Sequence, residues 1–187
     1  RAAVRRLLDR YATTGLAHFH LLDDKNWLLA ADGGAFIGYR VVGTTAVALG
    51  EPIGDPASVR SVAVDFLQLC ALNGWTPVFH QVTEAGRDVL AALGWRSLKI
   101  GEEAIVDLRT FTGGGPRFKN VRSAVRRCER AGYRVVDLPH PLDDGSLAQL
   151  RAVSDAWLAA GHRERTFTLG RFDPGYLRTT PVVAVVD

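Results

Sequence analysis

The sequence predicts a mixed α/β (α+β) protein whose sheets are mostly antiparallel. Short apolar segments rich in β-branched residues follow one another across tight turns, and apolar residues recur at helical spacing between them. The same order of elements also begins a second time after a glycine-rich stretch. The 187 residues, 47% hydrophobic and 23% charged, suffice to bury a core without disulfides. We therefore expect a first unit over residues 1–109, a linker over 110–116 and a second, truncated unit over 117–187.

The first unit is predicted to open with a helix over residues 2–14, where arginine and apolar residues alternate at helical spacing. Three strands in an antiparallel meander should follow, because only short turns separate them. A second helix is expected after Asp55-Pro56, with aspartate as N-cap and proline at the first helical position. The other predicted elements are strands 25–31, 35–42 and 45–49, a helix end at 73–74, strand 76–82, helix 84–93 and a final strand or strand pair over 97–108.

The second unit repeats the opening of this pattern. Its predicted elements are helix 117–131, strand 133–138, helix 146–160, a short helix near 174–179 and strand 182–187. The element order of the first unit resembles the GNAT-type acyltransferase fold, so we expect tandem GNAT-like units. Because the chain opens inside a predicted helix without a methionine and stops on an apolar strand, both termini are expected to be cuts.

Positive charge is concentrated in one predicted helix. Seven basic residues and one acid lie between residues 117 and 134, a charge of +6, so the rest of the chain sums to −3 against a net +3. Lys119, Arg122, Arg126 and Arg130 recur at spacings of 3, 4 and 4, which puts them on one face, where like charges repel. Arginine suits bidentate contact with phosphate. RNA, a lipid phosphate and an anionic membrane all fit, and so does a solvated basic face in a chain with 20 Arg and 3 Lys.

Two acidic residues interrupt the last predicted strand of the first unit. Glu102 and Glu103 would point to opposite faces of that strand. A buried carboxylate needs a cation or hydrogen-bond donors, so one of the two is a candidate for binding a substrate amine. An edge strand with both acids in water is the alternative. A second charged cluster, Arg163-Glu164-Arg165, follows a predicted helix and is typical either of a substrate-contacting loop or of an ordinary surface loop.

Other features restrict the chemistry. Glu51 and Asp55 stand where a GNAT acetyltransferase cradles the coenzyme A pyrophosphate on backbone N–H groups, which argues against coenzyme A in the first unit. Cys70 and Cys128 are expected to be buried, reduced thiols. The five histidines are scattered without metal-ligand spacing, so no metal is expected. No cofactor is predicted. No apolar run is long enough to cross a membrane, so this segment is expected to be soluble.

Several stretches together resemble the C-terminal catalytic domain of the phosphatidylglycerol lysyltransferase (aminoacyl-phosphatidylglycerol synthase) family. The most specific are "LGWRSLKIGEEAIVDL" and "KNVRSAVRRCERAGYRV", and the likeness continues through "GLAHFHLLDDKNWLLAADGGAFIGYRV", "VALGEPIGDP", "WTPVFHQV" and "RAVSDAWLAAGHRERTFTLGRFDPGYL". The resemblance covers nearly the whole chain. It implies two tandem GNAT-like units that pass an aminoacyl group from aminoacyl-tRNA to a hydroxyl of phosphatidylglycerol, in a full-length protein at the cytoplasmic face of the cell membrane.

The resemblance also implies roles for particular residues. Transfer of an activated ester to an alcohol needs positioning, a proton acceptor and oxyanion donors, and no redox cofactor. The candidates for binding lipid or tRNA phosphate are Lys119, Arg122 and Arg126, and those for the tRNA acceptor end or the lipid head group are Arg163 and Arg165. The candidates for holding the amino acid's ammonium or acting as base are Glu102, Glu103, Asp155 and Glu164. A peptidoglycan-type aminoacyltransferase, an acetyl-coenzyme A transferase and a non-catalytic module that binds RNA or anionic lipid are the alternatives.

Overall fold

The computed structural model describes residues 1–168 and 171–187 and divides the chain into two compact units. The first comprises residues 1–100 together with 161–171, and the second comprises 101–160 together with 172–187. The division at residue 100 precedes the linker predicted over 110–116, and the segment 161–171 joins the first unit although it lies far along the chain.

A five-stranded sheet forms the centre of the first unit. Its strands are β1 (Asn26–Leu29), β2 (Ala35–Val42), β3 (Thr45–Leu49), β4 (Ile53–Gly54) and β5 (Thr76–His80). β2 pairs antiparallel with β1, β3 and β4, whereas β3 and β5 are parallel. The predicted meander is therefore confirmed, and the sheet is mixed and mostly antiparallel, as the sequence predicts.

Three helices accompany this sheet: α1 (Ala2–Tyr11), α2 (Pro56–Asn73) and α3 (Glu84–Ala91). α2 begins as predicted, because the Asp55 side chain accepts a hydrogen bond from the Ala57 N–H and Pro56 occupies the first turn. It buries Val62, Phe66 and Cys70, four residues apart, in the same core as Ile37, Ala46 and Ala48 of β2 and β3. Burial of each large side chain in this stripe stabilises the fold by about 1.5–3 kcal/mol.

Residues 97–108 correct one prediction, because they form neither a strand nor a strand pair. Their apolar side chains are largely in water; Leu98 is 84% exposed and Ile105 is 85% exposed. An apolar, β-rich sequence becomes a strand only when a neighbouring strand satisfies its backbone groups, and no described strand pairs with this segment. Residues 15–21, which lie between the predicted helix and the first predicted strand, form a 3-10 helix that includes His18 and His20.

The second unit contains α4 (Lys119–Arg130), β6 (Arg134–Asp137), α5 (Asp144–Ala159), α6 (Pro174–Leu177) and β7 (Val183–Val186). β6 and β7 pair antiparallel, so the strands predicted near 133–138 and 182–187 are partners. A 3-10 turn over Pro116–Phe118 precedes α4. Neither α4 nor α5 buries a residue, and Cys128 is exposed, contrary to prediction, whereas Cys70 is buried as predicted. The described helices include none that is long and apolar enough to cross a membrane.

Candidate functional site

The basic face of α4 is the main candidate surface. Lys119, Arg126 and Arg127 are exposed. Within residues 1–168 and 171–187, no carboxylate forms an ion pair with any of these three cations. The charges of these three side chains are therefore not paired with acids of the described chain. The arrangement is suited to an external anion.

Arg122, predicted to share this role, has a different local function. It is half-buried, and its Nη1 donates to the carbonyl oxygens of Gly113 at 2.7 Å and Gly115 at 2.8 Å. These bonds hold the glycine-rich stretch against the start of α4. The Phe111 and Phe118 rings, edge to face at 5.1 Å, support the same turn. Arg122 thus anchors the linker, and its binding of phosphate stays a prediction.

The two glutamates of the predicted strand lie in the irregular segment 97–108. Glu102 and Glu103 are both exposed. Of the two alternatives, the described chain therefore agrees with the one that leaves both acids in water, although they lie in an irregular segment and not on an edge strand. Their catalytic role is a separate question and stays a prediction.

The remaining candidates lie on two elements. Asp155 is exposed on α5 in the second unit. Arg163, Glu164 and Arg165 are exposed in the irregular part of 161–171, which belongs to the first unit. The sequence correctly places these three in a loop after a helix. The predicted site residues thus lie in an irregular segment, on two helices and in a loop.

The loop 161–168 is attached to the rest of the first unit by residues that are not among the predicted site residues. Asp24 Oδ2 accepts a hydrogen bond of 2.7 Å from the Phe167 N–H, and Lys25 Nζ lies 5.0 Å from the centroid of the Phe167 ring. Lys25 also forms a 2.6 Å ion pair with Asp24, and both side chains are almost fully buried. Arg40 donates to the Thr166 hydroxyl at 3.0 Å. We call Asp24, Lys25, Arg40, Thr166 and Phe167 the loop clamp.

The loop clamp borders a polar cavity of about 570 Å³, lined also by Asp23, Asn26, Val41 and Arg171. Burial lowers the pKa of Lys25, which the bond to Asp24 partly offsets. Burial by itself would raise the pKa of Asp24, but the bonds from Lys25 and the Phe167 N–H lower it. The only sequence signal for this pair is a charge run, Asp23-Asp24-Lys25, directly before a strand, which usually indicates solvated residues.

The acidic loop after β3 has both of its carboxylates engaged. Besides capping α2, Asp55 accepts a hydrogen bond of 3.3 Å from the Tyr11 hydroxyl. Glu51 accepts from the Thr83 N–H at 3.0 Å and from the Thr83 hydroxyl at 2.6 Å. The N-terminus of α2 is thus occupied by the protein's own carboxylate and a proline. An adjacent cavity of about 410 Å³ is lined by apolar and polar residues of this region, and its ionisable members include Glu51, Arg60 and His20.

His20 is the one described residue whose buried side-chain nitrogen has no hydrogen-bond partner. Its Nδ1 lies against Gly38, where a Cβ atom would stand 2.1 Å from that nitrogen. Burial and the charge of Lys25 lower the His20 pKa to about 3, although a bond with the Leu49 backbone opposes this. Contact with a strand glycine indicates a packing role. No group of three or more His, Cys, Asp or Glu residues suited to a metal ion occurs in the part of the chain that the structure describes.

Comparison with known proteins places this geometry in context. Residues 5–187 match the family described as "Phosphatidylglycerol lysyltransferase, C-terminal". A phosphatidylglycerol lysyltransferase of Bacillus subtilis is 34% identical over 94% of this chain, and one of Staphylococcus xylosus is 30% identical over 100% of this chain. The lysylphosphatidylglycerol biosynthesis bifunctional protein LysX of Gordonia bronchialis is 39% identical over 82% of the chain. The chain spans 22% of the S. xylosus protein, 20% of the B. subtilis protein and 14% of LysX.

Two solved structures are similar to nearly the whole of this chain. The structure of L-PGS from Bacillus licheniformis gives a TM-score of 0.87 at 34% identity, covering 98% of this chain and 58% of that one. The C-terminal domain of a putative lysylphosphatidylglycerol synthetase from Agrobacterium fabrum gives 0.87 at 28% identity, covering 99% and 60%.

Proposed function

This chain belongs to the phosphatidylglycerol lysyltransferase C-terminal family, and from that premise we propose that it forms part of an aminoacyltransferase. The enzyme would move an aminoacyl group such as lysyl from aminoacyl-tRNA to a hydroxyl of phosphatidylglycerol. The names of the relatives supply the lysyl group and the acceptor lipid. The tRNA donor, the location at the cytoplasmic face of the membrane and the GNAT-like nature of both units belong to the same proposal.

The reaction is a transesterification. The lipid hydroxyl oxygen attacks the ester carbonyl carbon, a new carbon–oxygen bond forms, and the bond to the tRNA ribose oxygen breaks. The proton of the lipid hydroxyl passes to a base, and the ribose oxygen receives a proton as it leaves. The step is redox-neutral, so the protein has to position the two substrates, accept the proton and stabilise the oxyanion. Glu102, Glu103, Asp155 and Glu164 remain the candidates for the base or for holding the ammonium group.

One observation carries the assignment of the phosphate surface: the exposed cations of α4 have no ion-pair partner in the described chain. Both proposed substrates are phosphodiesters, and guanidinium groups bind phosphate oxygens in a bidentate manner. We assign Lys119 and Arg126, with the adjacent Arg127, to this contact. Arg163 and Arg165 are assigned to the acceptor end of tRNA or to the lipid head group.

The test uses the full-length protein with vesicles containing phosphatidylglycerol and tRNA charged with labelled lysine. We expect Lys119→Ala/Arg126→Ala to raise KM for one substrate about tenfold or more. If that substrate is RNA, the slope of the logarithm of the binding constant against the logarithm of the salt concentration should become shallower by roughly 1–2. Arg5→Ala/Arg6→Ala removes two exposed cations from α1 and is the matched control. Normal transfer by the α4 variant would remove the phosphate role.

Two further results of this assay would test the proposed base and the non-catalytic alternative. Glu102→Gln, Glu103→Gln, Asp155→Asn and Glu164→Gln each test a carboxylate, and unchanged kcat in all four would remove the proposed base. A full-length protein that binds charged tRNA and lipid but makes no cationic lipid would favour the non-catalytic binding module instead.

A further inference from the structure

The loop 161–168 carries three predicted site residues and has no regular secondary structure, so its position depends on the side chains that attach it. Arg163, Glu164 and Arg165 are exposed, whereas the next residues, Thr166 and Phe167, are partly buried. The two residues that attach the loop, Thr166 and Phe167, thus directly follow its exposed charged residues. A loop that binds substrate needs such attachment if its side chains are to be held in one geometry.

The attachment is built from a buried ion pair. The side chain of Lys25 is 0% exposed and that of Asp24 is 4% exposed. Removing two charges from water is costly, so a pair of this kind is weak evidence for stability alone. Each member of this pair also contacts Phe167. Asp24 accepts a hydrogen bond from the Phe167 backbone N–H, and the Lys25 ammonium lies over the Phe167 ring. The buried charges therefore hold the loop at its backbone and at its side chain together.

The backbone of Phe167 is also unusual. Its φ is +77°, in the left-handed region that residues other than glycine rarely adopt. Such a conformation is unfavourable and persists only where surrounding contacts impose it. The hydrogen bond to Asp24 and the ring contact with Lys25 are contacts of this type. Arg40 attaches the loop at Thr166, directly before Phe167, and further along the chain Arg171 forms an ion pair with Asp23.

We propose that Asp24 and Lys25 are positioning residues, which hold Phe167 and thereby fix the orientation of Arg163, Glu164 and Arg165 toward the substrate. This inference rests on the proposed function. Neither residue needs to touch the reacting atoms, because both act through the loop. A displacement of about 1 Å at a positioned group lowers a rate by up to about 100-fold, so loosening the loop clamp should lower kcat/KM by about 10- to 100-fold.

The experiment combines hydrogen exchange with transfer kinetics in the full-length protein. In Lys25→Met, we expect the amides of residues 161–168 to exchange at least tenfold faster, with the Phe167 amide most affected, while peptides of β2 and β3 are unchanged. Because exchange is measured without substrate, it tests the loop clamp even if the wild-type protein fails to transfer an aminoacyl group. Arg87→Met removes an exposed cation of α3 and should change neither readout.

Removing one member of a buried pair leaves an unpaired charge and can unfold the protein. Faster exchange in β2 and β3 would reveal this, and two further variants then decide. Asp24→Asn/Lys25→Met removes both charges, and Phe167→Leu removes the ring at a partly exposed site. Faster exchange in the loop together with lower kcat/KM in either variant supports the proposal. Faster loop exchange with normal transfer, or unchanged loop exchange, overturns it.

Discussion

Helices α2 and α4 carry similar apolar stripes but have opposite surroundings. α2 places Val62, Phe66 and Cys70 in a core completed by β2 and β3. α4 places Val121 and Val125 on its surface, 53% and 49% exposed, beside a row of cations. Helical spacing of apolar residues therefore predicts that a helix forms, but not what covers it. Because α4 buries no residue in the described chain, its cationic face is available for the phosphate contact proposed above.

The largest expected effect is on the α2 side of this comparison. Phe66→Ala removes a fully buried ring that contacts Tyr39 and Phe79 in the core. The free energy of unfolding of the first unit should fall by about 3–5 kcal/mol. Hydrogen exchange of β2 and β3 peptides measures this, with peptides of α5 as the internal reference. A loss below 1 kcal/mol would show that the core is far looser than its burial indicates.

Acidification should weaken the first unit through His20. Its pKa of about 3 in the fold lies below the usual 6.5, so the folded state binds fewer protons than the unfolded chain. The stabilisation is complete above pH 6.5 and is lost as pH falls, by up to about 1.4 kcal/mol per pH unit.

Between pH 7 and pH 5 we expect the free energy of unfolding, measured by hydrogen exchange of β2 and β3 peptides, to fall by about 2 kcal/mol. The loss should be absent in His20→Phe and retained in His18→Gln, which replaces an exposed histidine. Equal pH slopes in the wild type and His20→Phe would contradict the assignment. Asp24, whose pKa is lowered, contributes only in more acidic solution.

The cap of α2 should have a smaller effect. Asp55→Ala removes the acceptor for the Ala57 N–H and for the Tyr11 hydroxyl. We expect a loss of about 1 kcal/mol from the first unit, measured by urea unfolding. Asp55→Asn retains an acceptor at the cap and should recover most of it. If both variants lose the same amount, the carboxylate charge rather than the cap is responsible.

The smallest effect is expected on α4. Val125→Ser exchanges a half-exposed apolar side chain for a polar one, and the free energy of unfolding should change by no more than about 0.5 kcal/mol. Exchange of α4 peptides measures it. A loss similar to that of Phe66→Ala would mean that the stripe is covered in solution, and the contrast between the two helices would disappear.

Much of the secondary structure follows from the sequence because its signals are local. The starts and ends of β2 and β3, and the Asp55-Pro56 start of α2, agree with the prediction. The basic face of α4 follows from spacing alone. The strand predicted over 97–108 does not form, because a strand depends on a partner strand and the local sequence pattern carries no information about one.

Sequence alone thus determined the helices, the meander, the concentration of positive charge and the family. Tertiary structure decided which charges are engaged. Arg122 binds carbonyl oxygens of the linker, and Asp24 meets the Phe167 N–H across 143 positions of the chain. Periodicity reports on neighbours within a few residues, whereas contacts between distant residues arise only when folding brings them together and removes them from water.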